Sequence, residues 1–245
     1  MKQDKDLAFL ATCENEDLRT LCDILTYNKK GELRLGEQLT NSDAYIHCYP
    51  ERMNMMTKEI SEELRKYGSN TVKTLYRRGE ADSYDTILRR VCKKMDVEIG
   101  NDVSVQDMER QLLISVCEQA ASKLSDEELR NLTEEVGIPH KNLKRQMLIY
   151  SIMMAIRHNT YLFSRILSYF IIRIGNMLLG RGVLMMGLNT FGRYIGMATG
   201  PIGWALLAGW TISDIASPAY RVTIPAVIMI ASMRYRQTAS LTQKI

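Results

Sequence analysis

The sequence lacks the residue patterns on which enzyme active sites and metal centres are usually built. The Walker A, GxGxxG, GxSxG and HExxH patterns are all absent. The three histidines lie far apart, with no carboxylate or cysteine at the spacing of a metal ligand. Adjacent carboxylates such as Glu62 and Glu63 are typical of solvated helix faces. We therefore expect a protein that is not an enzyme, with no catalytic residues, cofactor or metal.

Cysteine is scarce, and the N-terminus has no long apolar run. The five cysteines are scattered and include no CxxC pair, which argues against a zinc site and a disulfide framework. We expect them to be reduced and mostly buried. The short apolar run after Asp6 has acids on both sides and no basic lead, so it does not resemble a secretory signal. This pattern predicts a cytoplasmic protein.

Acidic residues are almost missing from the C-terminal part. Residues 1–135 hold 20 Lys and Arg against 27 Asp and Glu, whereas residues 136–245 hold 12 against one, Asp214. The composition changes at Gly137-Ile138-Pro139. We therefore predict two domains: an acidic helical part, residues 1–137, that binds a protein partner not identifiable from the sequence, and a basic part, residues 138–245, that contacts the membrane.

The acidic part reads as a series of short amphipathic helices. Apolar residues recur at helical spacing in five stretches, and Gly31, Gly68 and Gly137 close three of them. Asn15 and Ser104 are candidate N-caps, and Ser125 with Glu128 forms a capping box. No alternating β-branched pattern is sustained. The fold class predicted is all-α, a helical bundle with a glycine-rich helical hairpin in the C-terminal half.

The basic part begins with a helix that is apolar on every side, residues 147–156, which predicts a place in a core or in lipid. Arginines then recur every eight residues from Arg157 to Arg181, and each lies about 80° further round a helix than the last. They do not form the single basic face that nucleic-acid binding requires. No nucleic-acid partner is expected.

Glycines at positions 192, 196 and 200 lie on one side of a helix and form a flat groove. Such a groove lets a second helix approach closely, in lipid or in a tightly packed soluble hairpin. Gly192, Gly196 and Gly200 are therefore candidate helix-packing residues, and the groove predicts homo-oligomer contacts through this helix.

Residues 194–213 carry no charge and have the length of a bilayer span. Tyr194, Trp204 and Trp210 are candidate membrane contacts, since aromatic residues favour the interface. Pro201 divides the segment and favours a hairpin that lies on the surface or inserts conditionally. The alternative is a buried hairpin in a soluble bundle. Anionic lipid is the expected ligand of the cations near the boundary, Lys141, Lys144 and Arg145.

The C-terminal stretch from Ala219 to Arg236 has an apolar centre that is too short to span a bilayer. Pro225 suits the first turn of a helix, and Arg234 and Arg236 suit its C-terminal end. We expect a packed or interfacial helix here.

Two end segments resemble a known family. DLAFLATCENEDLRTLCDILTYNKKGELRL (residues 6–35) is similar to the opening of the bacterial YaaW family, and PAYRVTIPAVIMIA (residues 218–231) is similar to its end. The middle, roughly 84–137, is similar more loosely in helix order. The family is often labelled as related to the ubiquinol–cytochrome c chaperone, which implies a helical, non-enzymatic, partner-binding protein. The resemblance supplies no functional residues.

Together these observations predict a non-enzymatic helical protein that binds protein partners and associates with the inner membrane, either peripherally or by conditional insertion. A soluble assembly chaperone or adaptor without membrane contact is the alternative. A conditional pore-forming protein is a further one, because glycine-groove helices can oligomerise.

Overall fold

The computed structural model describes residues 4–28, 30–69, 81–139, 143–171 and 220–242. A 3-10 helix, Lys5–Thr12, opens the chain, and a second, Met53–Met56, leads into the third α-helix. The α-helices are α1 (Asn15–Thr26), α2 (Asp43–Cys48), α3 (Thr57–Gly68), α4 (Tyr84–Lys94), α5 (Val105–Lys123), α6 (Asp126–Val136), α7 (Arg145–His158), α8 (residues 160–171) and α9 (Tyr220–Thr242). Within these ranges the backbone forms no β-strand, only an isolated bridge between Tyr27 and Leu33. The all-α prediction is confirmed.

Serine side chains start several of the helices. Ser83, Ser104 and Ser125 each accept a hydrogen bond from the backbone N–H three residues on, which satisfies a donor that the first turn leaves unpaired. Both hydrogen bonds of the capping box form: the Ser125 side chain accepts from the Glu128 N–H, and the Glu128 side chain accepts from the Ser125 N–H. Gly137 ends α6 with a φ of +80°, a left-handed conformation that favours glycine.

Two local predictions are wrong. Glu14, not Asn15, occupies the N-cap of α1. The Asn15 side chain instead donates to the Pro50 carbonyl at 2.8 Å and accepts from the Met53 N–H at 2.7 Å. Glu63 is not solvated, because it is buried and accepts a hydrogen bond from the Gln38 N–H at 3.0 Å. Both side chains tie together segments that are distant in sequence.

The C-terminal helix α9 lies at the centre of the fold. Residues 222–233 are all buried, so this helix is enclosed on every side. It packs against α1, α3, α4 and α5. Pro225 lies inside the helix and not in its first turn, which corrects the sequence prediction. The expectation of a packed helix is confirmed.

Residues near the N-terminus contact the C-terminal helix α9. Arg234 donates to the Asp6 carbonyl oxygen, and its guanidinium lies 3.8 Å from the centre of the Phe9 ring. Arg236 forms an ion pair with Asp17 at 2.8 Å. The N-terminal segment of the family resemblance, residues 6–35, therefore contacts the helix that contains most of the C-terminal one. The division at residue 137 stays a prediction about function, since α9 and the helices before residue 137 share one core.

Helices α7 and α8 lie against the α5 and α6 side of the bundle. Helix α7 packs on both α5 and α6. Helix α8 buries Phe163 and Phe170, and the Phe163 ring meets the Tyr235 ring of α9 edge to face at 4.9 Å. The position of α7 leaves one of its sides facing outward. Among the described residues, no helix combines the length and hydropathy that crossing a bilayer would need.

Candidate functional site

Most of the site residues predicted from the sequence lie outside the described residues. These are Gly192, Gly196, Gly200, Tyr194, Trp204, Trp210 and Lys141, together with the predicted glycine-rich hairpin and the uncharged segment 194–213. Their roles stay predictions. Two predicted lipid-contacting residues are described, Lys144 and Arg145, at the start of α7.

Lys144 and Arg145 differ in their surroundings. Lys144 precedes the first turn of α7 and is exposed. Arg145 forms an ion pair with Asp126 Oδ1 at 2.7 Å and donates to the Ser122 carbonyl at 3.3 Å. Helical geometry places Arg145 about 160° round the axis from Met147, two residues on. The structure therefore directs Arg145 toward α6 and away from the outward side of the helix.

The outward side of α7 is apolar. Met147, Tyr150 and Met154 are 54%, 65% and 40% exposed. They are spaced three and four residues apart, so they share one side of the helix. We call these three residues the α7 face. Isolated exposed apolar side chains are common on proteins, but several large ones in a row on one helix are a frequent mark of a contact surface.

The opposite side of α7 forms part of the core. Leu148, Ile152, Ala155 and Ile156 are buried. Packing on α5 and α6 covers only half of this helix, so it does not lie wholly within a core, and the alternative of a place in lipid stays a prediction for its outward side. The sequence of α7 contains two interleaved rows of apolar residues, the buried row and the α7 face. Their spacing alone does not indicate which row a neighbouring helix covers.

Exposed cations lie on α7 and on the next helix, α8. Arg157 lies three residues after Met154, on the same side, and its guanidinium pairs with the Glu118 carboxylate of α5. Arg165 lies 5.8 Å from the ring centre of the exposed Tyr161 and donates to the Glu135 carbonyl oxygen. Helix α7 and the described part of α8 contain no acidic residue. These two helices therefore carry exposed apolar groups and basic groups without acidic ones.

A buried polar cluster holds α9 in place. Glu109 accepts a hydrogen bond from the Tyr84 hydroxyl at 2.7 Å and pairs with Arg234 Nε at 2.6 Å. Glu109 is 2% exposed, and burial raises its pKa above the usual value while Arg234 opposes that rise. Both carboxylate oxygens are thus engaged within the fold. This arrangement connects α4, α5 and α9, which gives Glu109 a structural role.

Another buried carboxylate, that of Asp23, lies on α1. Burial raises the pKa of Asp23 to about 7, although the Tyr49 hydroxyl donates to it at 3.1 Å and Arg19 lies near. Tyr49 stacks on Tyr45 with ring centres 4.6 Å apart. Sequence reasoning missed this group, because the apolar spacing of α1 did not single out Asp23.

The other polar features of the described residues include no metal-binding group. No group of three or more His, Cys, Asp or Glu in those ranges is placed to hold a metal ion. An open hollow of about 870 Å³ lies beside Asp4, Arg65 and Ser104, but Asp4 and Arg65 pair with each other at 3.8 Å. Cys13 is half-buried, and burial raises the pKa of its thiol to about 11, which leaves little reactive thiolate at neutral pH. The other four cysteines are buried, as expected.

Sequence comparisons identify relatives along almost the whole chain. Residues 1–35 match a family described as "Domain of unknown function (DUF3944)". A "UPF0174 protein" of Helicobacter pylori (strain J99 / ATCC 700824) is 33% identical over 236 residues, which cover 96% of this chain and 92% of the relative. The "UPF0174 protein YaaW" of Escherichia coli (strain K12) is 27% identical over 241 residues, covering 97% and 96%. No solved structure matches the chain.

These relatives agree with the resemblance read from the two ends of the sequence. None of their names mentions a ubiquinol–cytochrome c chaperone, so that relation stays a prediction. The identity and coverage of the Helicobacter relative extend the similarity from the two end segments to the whole chain. The chain therefore belongs to the UPF0174 family, which includes YaaW of Escherichia coli.

Proposed function

We propose that this protein is a non-enzymatic helical protein that binds the surface of an anionic membrane, such as the bacterial inner membrane, through the α7 face. The main observation in support is that Met147, Tyr150 and Met154 are exposed on one side of a helix that has no acidic residue. Apolar side chains of this kind enter the boundary between headgroups and acyl chains, and nearby cations contact lipid phosphates.

The distribution of charge along the chain supports one orientation of the protein on the membrane. Residues 136–245 carry 12 Lys and Arg against one acid. Lys144 flanks one end of the α7 face and Arg157 the other. An anionic surface attracts these two cations beside the α7 face and repels the acidic helices. The acidic helices then remain directed toward the cytoplasm, where we propose that they bind a protein partner.

The glycine-rich part extends the same proposal. Gly192, Gly196 and Gly200 provide helix packing and homo-oligomer contacts, and Tyr194, Trp204 and Trp210 provide further membrane contacts. These residues are placed by their sequence pattern alone. Conditional insertion and pore formation through this segment are consequences that depend on the surface first being bound.

Co-sedimentation of the full-length protein with lipid vesicles tests the proposal. We expect binding to vesicles that contain phosphatidylglycerol and much weaker binding to pure phosphatidylcholine. Binding should weaken as salt rises, because the Debye length falls from about 10 Å at 0.1 M to about 3 Å at 1 M. Equal binding to both vesicles at every salt concentration would exclude the electrostatic part, and no binding to either would refute the proposal.

The alternative is a soluble assembly chaperone or adaptor. It is favoured by a different surface, since Leu33, Leu35 and Ile46 are large apolar side chains exposed in the acidic part. In that case the acidic part alone carries the function. Vesicle binding separates the two proposals, because the adaptor predicts none.

A further inference from the structure

Arg157, a cation on the same side of α7 as the α7 face, is already paired. Its Nε donates to Glu118 Oε1 at 2.5 Å and its Nη2 donates to Glu118 Oε2 at 3.0 Å. This is the parallel two-bond geometry by which guanidinium groups recognise carboxylates and phosphates. The contact joins the last turn of α7 to α5.

The two partners are unequally exposed. The Arg157 side chain is 57% exposed, whereas the Glu118 side chain is 17% exposed. The arginine can therefore rotate outward with little change in packing, while the carboxylate is held at the α5 surface. The hydrogen bonds and charge of Glu118 also raise the pKa of Arg157, which remains cationic throughout.

We propose that Glu118 acts as an intramolecular competitor for lipid: it holds Arg157 in the free protein, and a headgroup phosphate replaces it when the α7 face binds an anionic membrane. The inference rests on the proposed function and adds its regulation. A phosphate diester offers the same fork-shaped acceptor geometry as the carboxylate. The exchange needs only one side chain to swing, because Arg157 lies three residues after Met154 and seven after Tyr150, on the same side of α7.

A second ion pair on the same helix supplies the control. Arg145 also pairs with a carboxylate, that of Asp126, but through one hydrogen bond at 2.7 Å where Arg157 makes two. Arg145 precedes Met154 by nine residues, which places it about 180° round the helix from the α7 face. Asp126→Asn and Glu118→Gln each remove one negative charge, but only Glu118→Gln releases a cation on the lipid-facing side.

The experiment measures partitioning of full-length wild type, Glu118→Gln and Asp126→Asn onto vesicles of phosphatidylglycerol mixed with phosphatidylcholine. Freeing one cation near an anionic surface should tighten Glu118→Gln binding by roughly fivefold. Asp126→Asn should bind within about twofold of wild type, because the Arg145 side of α7 faces away from the lipid. Circular dichroism melting curves establish that each variant is folded.

The variant Arg157→Gln completes a double-mutant cycle. If Arg157 is the released cation, Glu118→Gln should have no effect on binding in the Arg157→Gln background. We expect the Arg157→Gln variant to keep the wild-type fold, because the Arg157 side chain is exposed.

The results separate the inference from the proposed function. Equal gains for Glu118→Gln and Asp126→Asn would show a general charge effect and overturn the competitor role. The competitor role would also be overturned if wild type bound well and Glu118→Gln bound no better. If no variant bound anionic vesicles, the proposed function itself would be refuted.

Discussion

Replacing Asp23 with asparagine should change how stability depends on pH. Burial raises the pKa of Asp23 from 3.8 to about 7 in the folded protein. The folded state therefore holds a proton that the unfolded chain releases at lower pH. The free energy of unfolding falls as pH rises between about 4 and about 7, and Asp23 destabilises the fold most above that window.

The magnitude follows from the two pKa values. At about 1.4 kcal/mol per pH unit, the interval between 3.8 and about 7 makes the ionised Asp23 cost about 4 kcal/mol. More than half of this cost develops between about pH 5 and about pH 8. Asparagine keeps an acceptor for the Tyr49 hydroxyl and carries no charge, so the variant avoids the penalty.

Urea denaturation of wild type and Asp23→Asn at a series of pH values is the assay. The variant should be clearly more stable at pH 8, and the difference should shrink steadily toward pH 5. The pKa of Glu109 is also raised, but its contribution is the same in both proteins and cancels in the difference. Asp96→Asn removes an exposed carboxylate in place of a buried one and serves as the control for the loss of one charge. Parallel curves for wild type and Asp23→Asn would refute the reasoning.

Two further substitutions test the packing. Gly68→Ala should lower the free energy of unfolding by about 1–3 kcal/mol, because a Cβ there would lie 2.6–2.8 Å from three side-chain atoms of Ile87. Adding Ile87→Val should recover part of the lost stability. A Gly68→Ala variant that melts like wild type would contradict the close approach of Gly68 and Ile87. Glu109→Gln should cost about 3 kcal/mol by leaving the mostly buried Arg234 without its counter-charge. Adding Arg234→Met should restore part of that stability, and a double variant less stable than either single one would contradict the pairing.

Local features of the fold could be predicted from the sequence. One of the five stretches of helically spaced apolar residues contains Ile87, Leu88 and Val91, and all three are buried on one side of α4. Ser104 and Ser125 were identified as caps because a cap is decided by residues three positions apart. Such patterns succeed because both interacting groups lie within one turn of the helix.

Features that depend on distant contacts could not be predicted. Asn15 has the chemistry of an N-cap, but it binds the backbone at Pro50 and Met53, and nothing in the spacing encodes that contact. The α7 face was missed for a related reason. Met154 and Ile152 are both apolar and lie two residues apart. Ile152 is buried because its side of α7 packs against α5 and α6, whereas Met154 lies on the other side and is exposed.

Vesicle binding by a variant of the α7 face tests the central claim most directly. Met147→Gln with Met154→Gln removes two half-exposed apolar side chains, each contributing about 1 kcal/mol to burial in lipid. Met55→Gln is the matched control, because Met55 is 64% exposed in the acidic part of the chain.

The full-length proteins should all melt like wild type, since the changed side chains are exposed. We predict that the double variant partitions onto anionic vesicles about thirtyfold less than wild type, whereas Met55→Gln partitions normally. A double variant that binds as tightly as wild type would contradict the account, because the α7 face would then not be the surface that meets the membrane.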